Sequence, residues 1–462
     1  MDYKSRDSKM DMSALKTHNK LRYELPSNLN VVERRSNQVS FADQNSYTNT
    51  SGNELVIKIN SSTDYVYGKN SYLVFEIQHG TNAGDSKVGF KKSTAMNLFS
   101  RVLFEDKSGA ELERNTELHR YCRQVNPWRH SSNSVAVHSA MAGQYYSGIP
   151  IADGDGDADG NIFIGNGPVD NYGCDTPLTV CIPLRSFLGV FNRETLIPST
   201  LLSGSMIRLQ LEAADVAFEN LSGSTTATVT NYTITNPRIV LDSMSLSPVV
   251  QKNLLEQSQS GGGLDFVYET VYHQSANPGP STNFNLQINK AVSRVQKLYW
   301  SVRHQNVAAE TKKDNLGTTQ CNITQLQTRL GNLYFPQQVI TVKGELPLRN
   351  GAELYENSLQ SINRMKTNVD PPYISKNIFL NGGKPVNGTA ADTDNSGQCC
   401  HVQSFEQSSA LEYSGLALNS SRTLETRMNF VTLQTNETHT IDAWISYVKL
   451  AKCNQMRTIL KE

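Results

Sequence analysis

No stretch of this sequence approaches the roughly 18 consecutive apolar residues that a membrane-spanning helix requires, so a soluble chain is expected. Charge is also scarce and balanced: 43 Lys and Arg meet 43 Asp and Glu, and only 19% of the 462 residues are charged. That balance excludes a chain kept unfolded by like-charge repulsion, and it argues against a protein that coats nucleic acid, which carries a basic excess or stripe. Cysteine is sparse. Cys122, Cys174, Cys181, Cys321, Cys399, Cys400 and Cys453 are odd in number and include no metal-type pair two residues apart, so free thiols made in a reducing compartment are expected. The N-terminus lacks an apolar h-region and alternates charge instead (Asp2, Lys4, Arg6, Asp7, Lys9, Asp11), so secretion by a signal peptide is not expected.

Catalytic signatures are missing as well. The nine histidines show no His-Glu-x-x-His spacing, and the chain has neither a phosphate-binding Gly-x4-Gly-Lys-Ser/Thr nor a Gly-x-Ser-x-Gly elbow. His119 with Cys122, and Cys399-Cys400-His401, are too small to hold an ion unless distant residues join them, and the side chains of adjacent cysteines diverge. The chain is read as non-enzymatic.

What is present is two-residue alternation in short runs. Leu55, Ile57 and Ile59 share one face of Glu54 to Ile59, and Leu73, Phe75 and Ile77 share one face of Tyr72 to Gln78. The pattern returns in Met206 to Leu211, Phe284 to Ile288, Gln338 to Val342 and Thr440 to Leu450. Such runs are half-buried strands, and the polar turn clusters between them predict antiparallel sandwiches. Helical period is rare. Leu184, Phe187, Leu188 and Phe191 predict a short amphipathic helix after Pro183; Ala352, Tyr355, Leu359 and Ile362 predict another within Asn350 to Met365; a third is expected over Pro248 to Gln257.

Gly261-Gly262-Gly263 lies near the midpoint and reads as a hinge. Each half carries the tripeptide Ser-Arg-Val in an apolar run, Ser100-Arg101-Val102 and Ser293-Arg294-Val295, and the offset of 193 residues matches one half-length. The expected organisation is an N-terminal arm over 1–40, a first sandwich over 41–247, a helix and Gly-rich linker over 248–263, a second sandwich over 264–453 and a tail over 454–462. From Met1 to Arg35 the arm holds eight Lys or Arg against five Asp or Glu, an excess too small for strong nucleic-acid binding by counterion release.

The strongest local motif is Asp153-Gly154-Asp155-Gly156-Asp157-Ala158-Asp159-Gly160-Asn161-Ile162. Asp155, Asp157, Asp159 and Asn161 have the spacing of a calcium loop, with Gly160 at the turn and Ile162 packing behind it. Asn166 stands where a bidentate Glu belongs and no periodic helices flank the loop, so the expectation is a weak calcium-type site in a surface loop, set against a solvated acidic turn.

In order along the chain, the polar arm, the strands from Leu55 to Ile77, the run LFSRVLFEDKSGAELERNTELHRY, the segment VCIPLRSFLGVFNRETLIPSTLL leading into SMIRLQLE, and YTITNPRIVLDSMSLSP resemble a double jelly-roll major capsid protein of the adenovirus-like and polinton-like DNA-virus lineage. LDFVYETVYHQ, QKLYWSVRHQN and ALEYSGLALNSSRTLETRM continue the resemblance through a second unit, to about Cys453. The resemblance implies an all-β fold of two tandem eight-stranded jelly-roll β-sandwiches with short inserted helices. It further implies a homotrimer acting as a pseudo-hexameric capsomer, made in the host cell cytosol and built into the virion beside neighbouring capsomers and penton or minor capsid proteins. Such a shell encloses the genome without sequence-specific binding. The rival reading is a glycan- or receptor-binding tandem β-sandwich, for which Trp128, Trp300, Trp444, Tyr145 and Tyr146 would supply aromatic platforms. A cupin or glycosidase on the same scaffold would need clustered His and Glu ligands, and none is visible.

Overall fold

In the computed structural model, residues 31–129 and 177–304 are described apart from short gaps at 52–53, 61–63, 82–87, 91–94, 194, 221–228, 260–262 and 280–281. Beyond them the described residues are 318, 323–342, 351–362, 374, 379, 400–406, 414–419, 422–430, 439–453 and 458–461.

Sixteen of the 22 strands among the described residues form the two rolls, eight in each half. The first eight are β1 (Val31–Phe41), β2 (Glu54–Lys58), β3 (Tyr72–Thr81), β4 (Phe99–Glu105), β5 (Glu111–Asn115), β6 (Leu178–Pro183), β7 (Met206–Leu211) and β8 (Val229–Leu246). They form two antiparallel sheets in the orders β1-β8-β3-β6 and β2-β7-β4-β5. The second eight are β9 (Leu264–Ala276), β10 (Asn283–Ile288), β11 (Val292–His304), β12 (Ile323–Leu330), β13 (Leu333–Thr341), β14 (Cys400–Ser404), β15 (Leu424–Phe430) and β16 (His439–Cys453). Their sheets run β9-β16-β11-β14 and β10-β15-β12-β13. Each strand of the first set therefore has its topological counterpart eight strands later, and both sets follow the strand order of a jelly roll.

Alternation makes these strands because it places whole cross-strand rows of apolar side chains on one face. Leu209 lies opposite both Leu55 and Val102, and Ile207 opposite both Ile57 and Phe104. All six are essentially inaccessible to water. Ile77 pairs with Ile234 and Leu73 with Ile239 in the facing sheet, so the two rows close a core in which each buried side chain contributes about 1.5–3 kcal/mol. The second roll is built alike: Leu424 faces Ile288 and Leu330, and Met428 faces Leu326.

Four expectations are corrected. Val31–Phe41 is not part of an arm: it is β1, held along β8 by a ladder that includes Val39 opposite Val240, and Arg34 reaches Asp242 at 2.9 and 2.5 Å. The tail likewise contributes Thr458–Lys461 as a strand on β16, because the free edge of a long strand pairs with whatever chain returns to it. The run from Leu184 to Phe191 is two 3-10 turns, Leu184–Ser186 and Gly189–Asn192, instead of one helix. Its apolar residues are buried as the pattern requires, but the N–H groups of Gly189 and Val190 bond the Glu113 carboxylate at 2.8 and 2.6 Å, which takes from an α-ladder the donors it needs. Finally, the Ser-Arg-Val copies are not equivalent. The first lies in β4 and the second in β11, whose counterparts are β12 and β3. A tripeptide carries no register; counterpart strands such as β3 and β11 begin at Tyr72 and Val292, 220 residues apart.

Three helices matter for the arrangement. α1 (Leu118–Arg129) follows β5, α2 (Pro248–Gln259) joins the two rolls, and α3 (Ala352–Ser361) follows β13 and packs on β14.

Candidate functional site

The densest chemistry among the described residues is the seam where the two rolls meet. The first roll presents the edge strand β5, the helix α1 and the turn at Gly189. The second presents the edge strand β9 and its neighbour β16. α1 is anchored by aromatic contacts: the Tyr121 ring meets Trp444 at 6.2 Å, and Trp128 packs on Tyr355 and Phe379 at 6.0 and 5.6 Å. The indole N–H of Trp128 donates to the Cys400 carbonyl at 3.0 Å. The backbone of β5 accepts two donors from the second roll, Tyr268 Oη on Leu112 O at 2.8 Å and Lys449 Nζ on Glu111 O at 3.2 Å. Carbonyls of a sheet edge that would otherwise lack partners are thereby satisfied. At Gly189 the rolls touch backbone to backbone: a Cβ there would stand 1.7 Å from the Glu269 carbonyl oxygen.

A charged cluster lies in the middle of this seam. Asp442 of β16 accepts from Arg303 Nε at 2.7 Å, lies 3.3 Å from His273 Nε2 and 4.0 Å from Arg120 of α1, and its side chain is 2% exposed. Arg120 is bonded in turn to Glu117 at 2.9 Å, and Thr116 Oγ1 lies 3.3 Å from His273 Nδ1. Burial alone would raise the Asp442 pKa; the bond from His273 and the positive charges of Arg303 and Arg120 reverse this and hold it at about 2. Glu113, whose burial outweighs the two backbone amides and Lys449 that favour its charge, is pushed up to about 7. His119 is pushed down to about 3 by burial and by the adjacent Arg120, and His401 to about 3 by burial.

These shifts predict acid sensitivity. His119 and His401 stay neutral in the fold while their unfolded counterparts take up protons below about 6.5, so stability falls as the pH drops from about 6.5 towards 3. Glu113 opposes them, since its raised pKa favours the fold below about 4.5 and that contribution is lost as the pH rises to about 7. Two histidines outweigh one carboxyl, and the net expectation between pH 7 and pH 5 is a loss of about 1–2 kcal/mol. Urea midpoints measured at the two values check it, and an equal or higher midpoint at pH 5 contradicts it.

The residues singled out in the sequence are placed otherwise. Asp155, Asp157, Asp159 and Asn161 lie outside the described residues, as do Tyr145 and Tyr146. His119 and Cys122 are buried on α1, while Cys400 and His401 are buried on β14, where His401 Nδ1 lies 3.3 Å from Ser358 Oγ. Among the described residues no three His, Cys, Asp or Glu side chains gather as a metal site. Trp128, Trp300 and Trp444 are 0–1% exposed, so they cannot serve as platforms for a sugar. Asp442 escaped the sequence reading, although a lone carboxylate inside Ile441 to Val448, an otherwise apolar and small-polar run, was the available signal.

Two complete jelly rolls of one strand order, joined in a single chain through a buried seam, define a double jelly-roll protein. No family model and no curated protein matches the sequence. Solved structures do match over almost the whole chain. PBCV-1 VP54, as fitted into a cryo-EM reconstruction of the virophage Sputnik, is similar with a TM-score of 0.56 at 10% identity, covering 95% of this chain and 99% of that one. The Faustovirus major capsid protein is similar with a TM-score of 0.53 at 10% identity, covering 97% of each chain. The mavirus major capsid protein is similar with a TM-score of 0.52 at 11% identity, covering 96% of this chain and 92% of that one. The fold of this chain is the fold of those capsid proteins.

Proposed function

We propose that this protein is the major capsid protein of an icosahedral virus. The observation that carries the reading is end-to-end correspondence of fold: 97% of this chain aligns with 97% of the Faustovirus major capsid protein. Its work is assembly. Two similar rolls locked side by side make one chain behave as two near-equal building blocks, so three chains give a pseudo-hexameric capsomer that tiles a closed shell beside penton or minor capsid proteins. The location is then the virion, and the balanced charge suits a wall that encloses a genome without gripping its sequence. The glycan-binding alternative loses its main support with the burial of the three tryptophans.

Light scattering on the purified full chain is the test. The expected particle has about three times the 51.3 kDa chain mass and a hexagonal outline by negative-stain microscopy. A chain that stays at 51.3 kDa at every concentration, and forms no shells, sinks the proposal.

A further inference from the structure

Glu113 is an ionisable group on an apolar face. Its cross-strand partner is Phe104 and that of Asn115 is Val102, so both polar side chains of β5 lie on the sheet face that carries the first roll's core. Glu113 is 6% exposed there, and its two oxygens accept from the N–H groups of Val190 at 2.6 Å and Gly189 at 2.8 Å. The turn that supplies these amides is also where the first roll meets the second backbone to backbone. A Cβ on Gly189 would stand 1.7 Å from the Glu269 carbonyl oxygen and 3.4 Å from Oε2 of Glu113. One carboxyl group therefore holds the segment on which β9 closes.

A small cavity opens at this point, lined by Arg114 and Asn115 of β5, Arg185 and Asn192 of the turn, and Glu269 and Thr270 of β9. The second roll offers Glu113 one charge of each sign: Lys449 of β16 favours the ionised form and Glu269 opposes it. Lys449 also donates to the Glu111 carbonyl at 3.2 Å, and Arg114 is paired with the Glu111 carboxylate at 3.0 Å. The Glu269 carboxylate accepts from Ser446 Oγ. Arg185 of the turn and Tyr121 of α1 complete the ionisable lining among the described residues. Keeping a charge on this apolar face costs more than two amides and Lys449 offset, which is why burial pushes Glu113 up to about 7.

We propose that Glu113 is a proton-controlled latch on the seam between the rolls: its protonated carboxyl keeps the turn over 184–192 closed against β9, and loss of the proton lets the turn part and water enter. The neutral carboxyl still accepts from the turn amides, and its O–H has the adjoining cavity to point into. The ionised group gains by leaving. Solvent reaches it through the cavity once the turn lifts, and its repulsion by Glu269 is relieved in the same movement. The contacts that α1 makes with Trp444 and Asp442 lie elsewhere in the seam, so the movement is local. The latch depends on the seam alone and operates whatever the chain assembles into.

Hydrogen exchange on the full chain tests it. After correction for the intrinsic pH dependence of exchange, protection of residues 184–192 is expected to fall about tenfold between pH 6 and pH 8.5. That is the factor by which a group titrating at about 7 in the closed turn, and at 4.5 in water, favours closure at the lower value. Glu113→Gln, neutral throughout and nearly the same shape, is expected to show equal protection at both. Glu269→Gln removes the charge that opposes ionisation, so the midpoint of the fall is expected to move to lower pH. Protection that stays level in the parent chain, or falls as steeply in Glu113→Gln, overturns the latch. Should the glutamine variant at 113 fail to fold, Glu269→Gln decides alone: a midpoint that stays in place or rises overturns the latch, and one that moves down supports it.

Discussion

Replacing Asp442 with Asn is expected to destabilise the protein by about 3–5 kcal/mol, the cost of breaking a buried ion pair from one side. The amide nearly preserves shape, so the loss is electrostatic. Arg303 and Arg120, with side chains 19% and 17% exposed, would face each other across the seam without the carboxylate that compensates them. His273, 3.3 Å from the same carboxylate, would lose its partner as well. Because Arg120 belongs to the first roll and Asp442 to the second, the damage falls on the joint between the rolls. Equilibrium denaturation with intrinsic fluorescence, which reports Trp444 two residues away, measures it. A loss below about 1 kcal/mol would show the cluster to be a solvated decoration.

Trp128→Ala is expected to cost at least as much, about 3–5 kcal/mol from the cavity alone. The ring is fully buried between Tyr355 and Phe379, and its N–H is the donor to the Cys400 carbonyl, which would be stranded in the core. Trp128→Phe separates the two contributions, since it retains most of the aromatic volume and loses the hydrogen bond, at an expected cost of about 1–3 kcal/mol. Hydrogen exchange should show the loss concentrated in α1, α3 and β14. Protection unchanged there, with the alanine variant as stable as the parent, would contradict the placement of α1 as the bolt between the rolls.

Much of the sandwich architecture was legible because strand period is local. Leu55 and Ile57, or Ile207 and Leu209, announce their buried face within six residues, and the structure pairs them in rows across β2, β7 and β4. α1 was legible only in part. Leu118, Tyr121, Val125 and Trp128 recur at i, i+3, i+7 and i+10, the stripe of an amphipathic helix. His119, Arg123, Gln124 and Asn126 are 1–4% exposed, so the helix is buried on its polar side as well. That burial arises from packing on β4 and on Trp444 and Tyr355 of the second roll, which no local period announces. The same cause hides the turns after Leu184. The spacing of Leu184, Phe187, Leu188 and Phe191 is helical, but Glu113, 76 residues away from Gly189, captures the amides that would complete the helix.

By itself the sequence determined that strands would alternate, that two sandwiches would follow one another, and that no common catalytic motif would be present, all properties decided by side-chain period and residue type over short spans. The tertiary structure decided the rest: which strands are counterparts, where the rolls touch, and which charges are buried. Arg120 and Asp442 lie 322 residues apart and approach to 4.0 Å, a proximity that no local pattern encodes because it arises from the packing of one roll against the other.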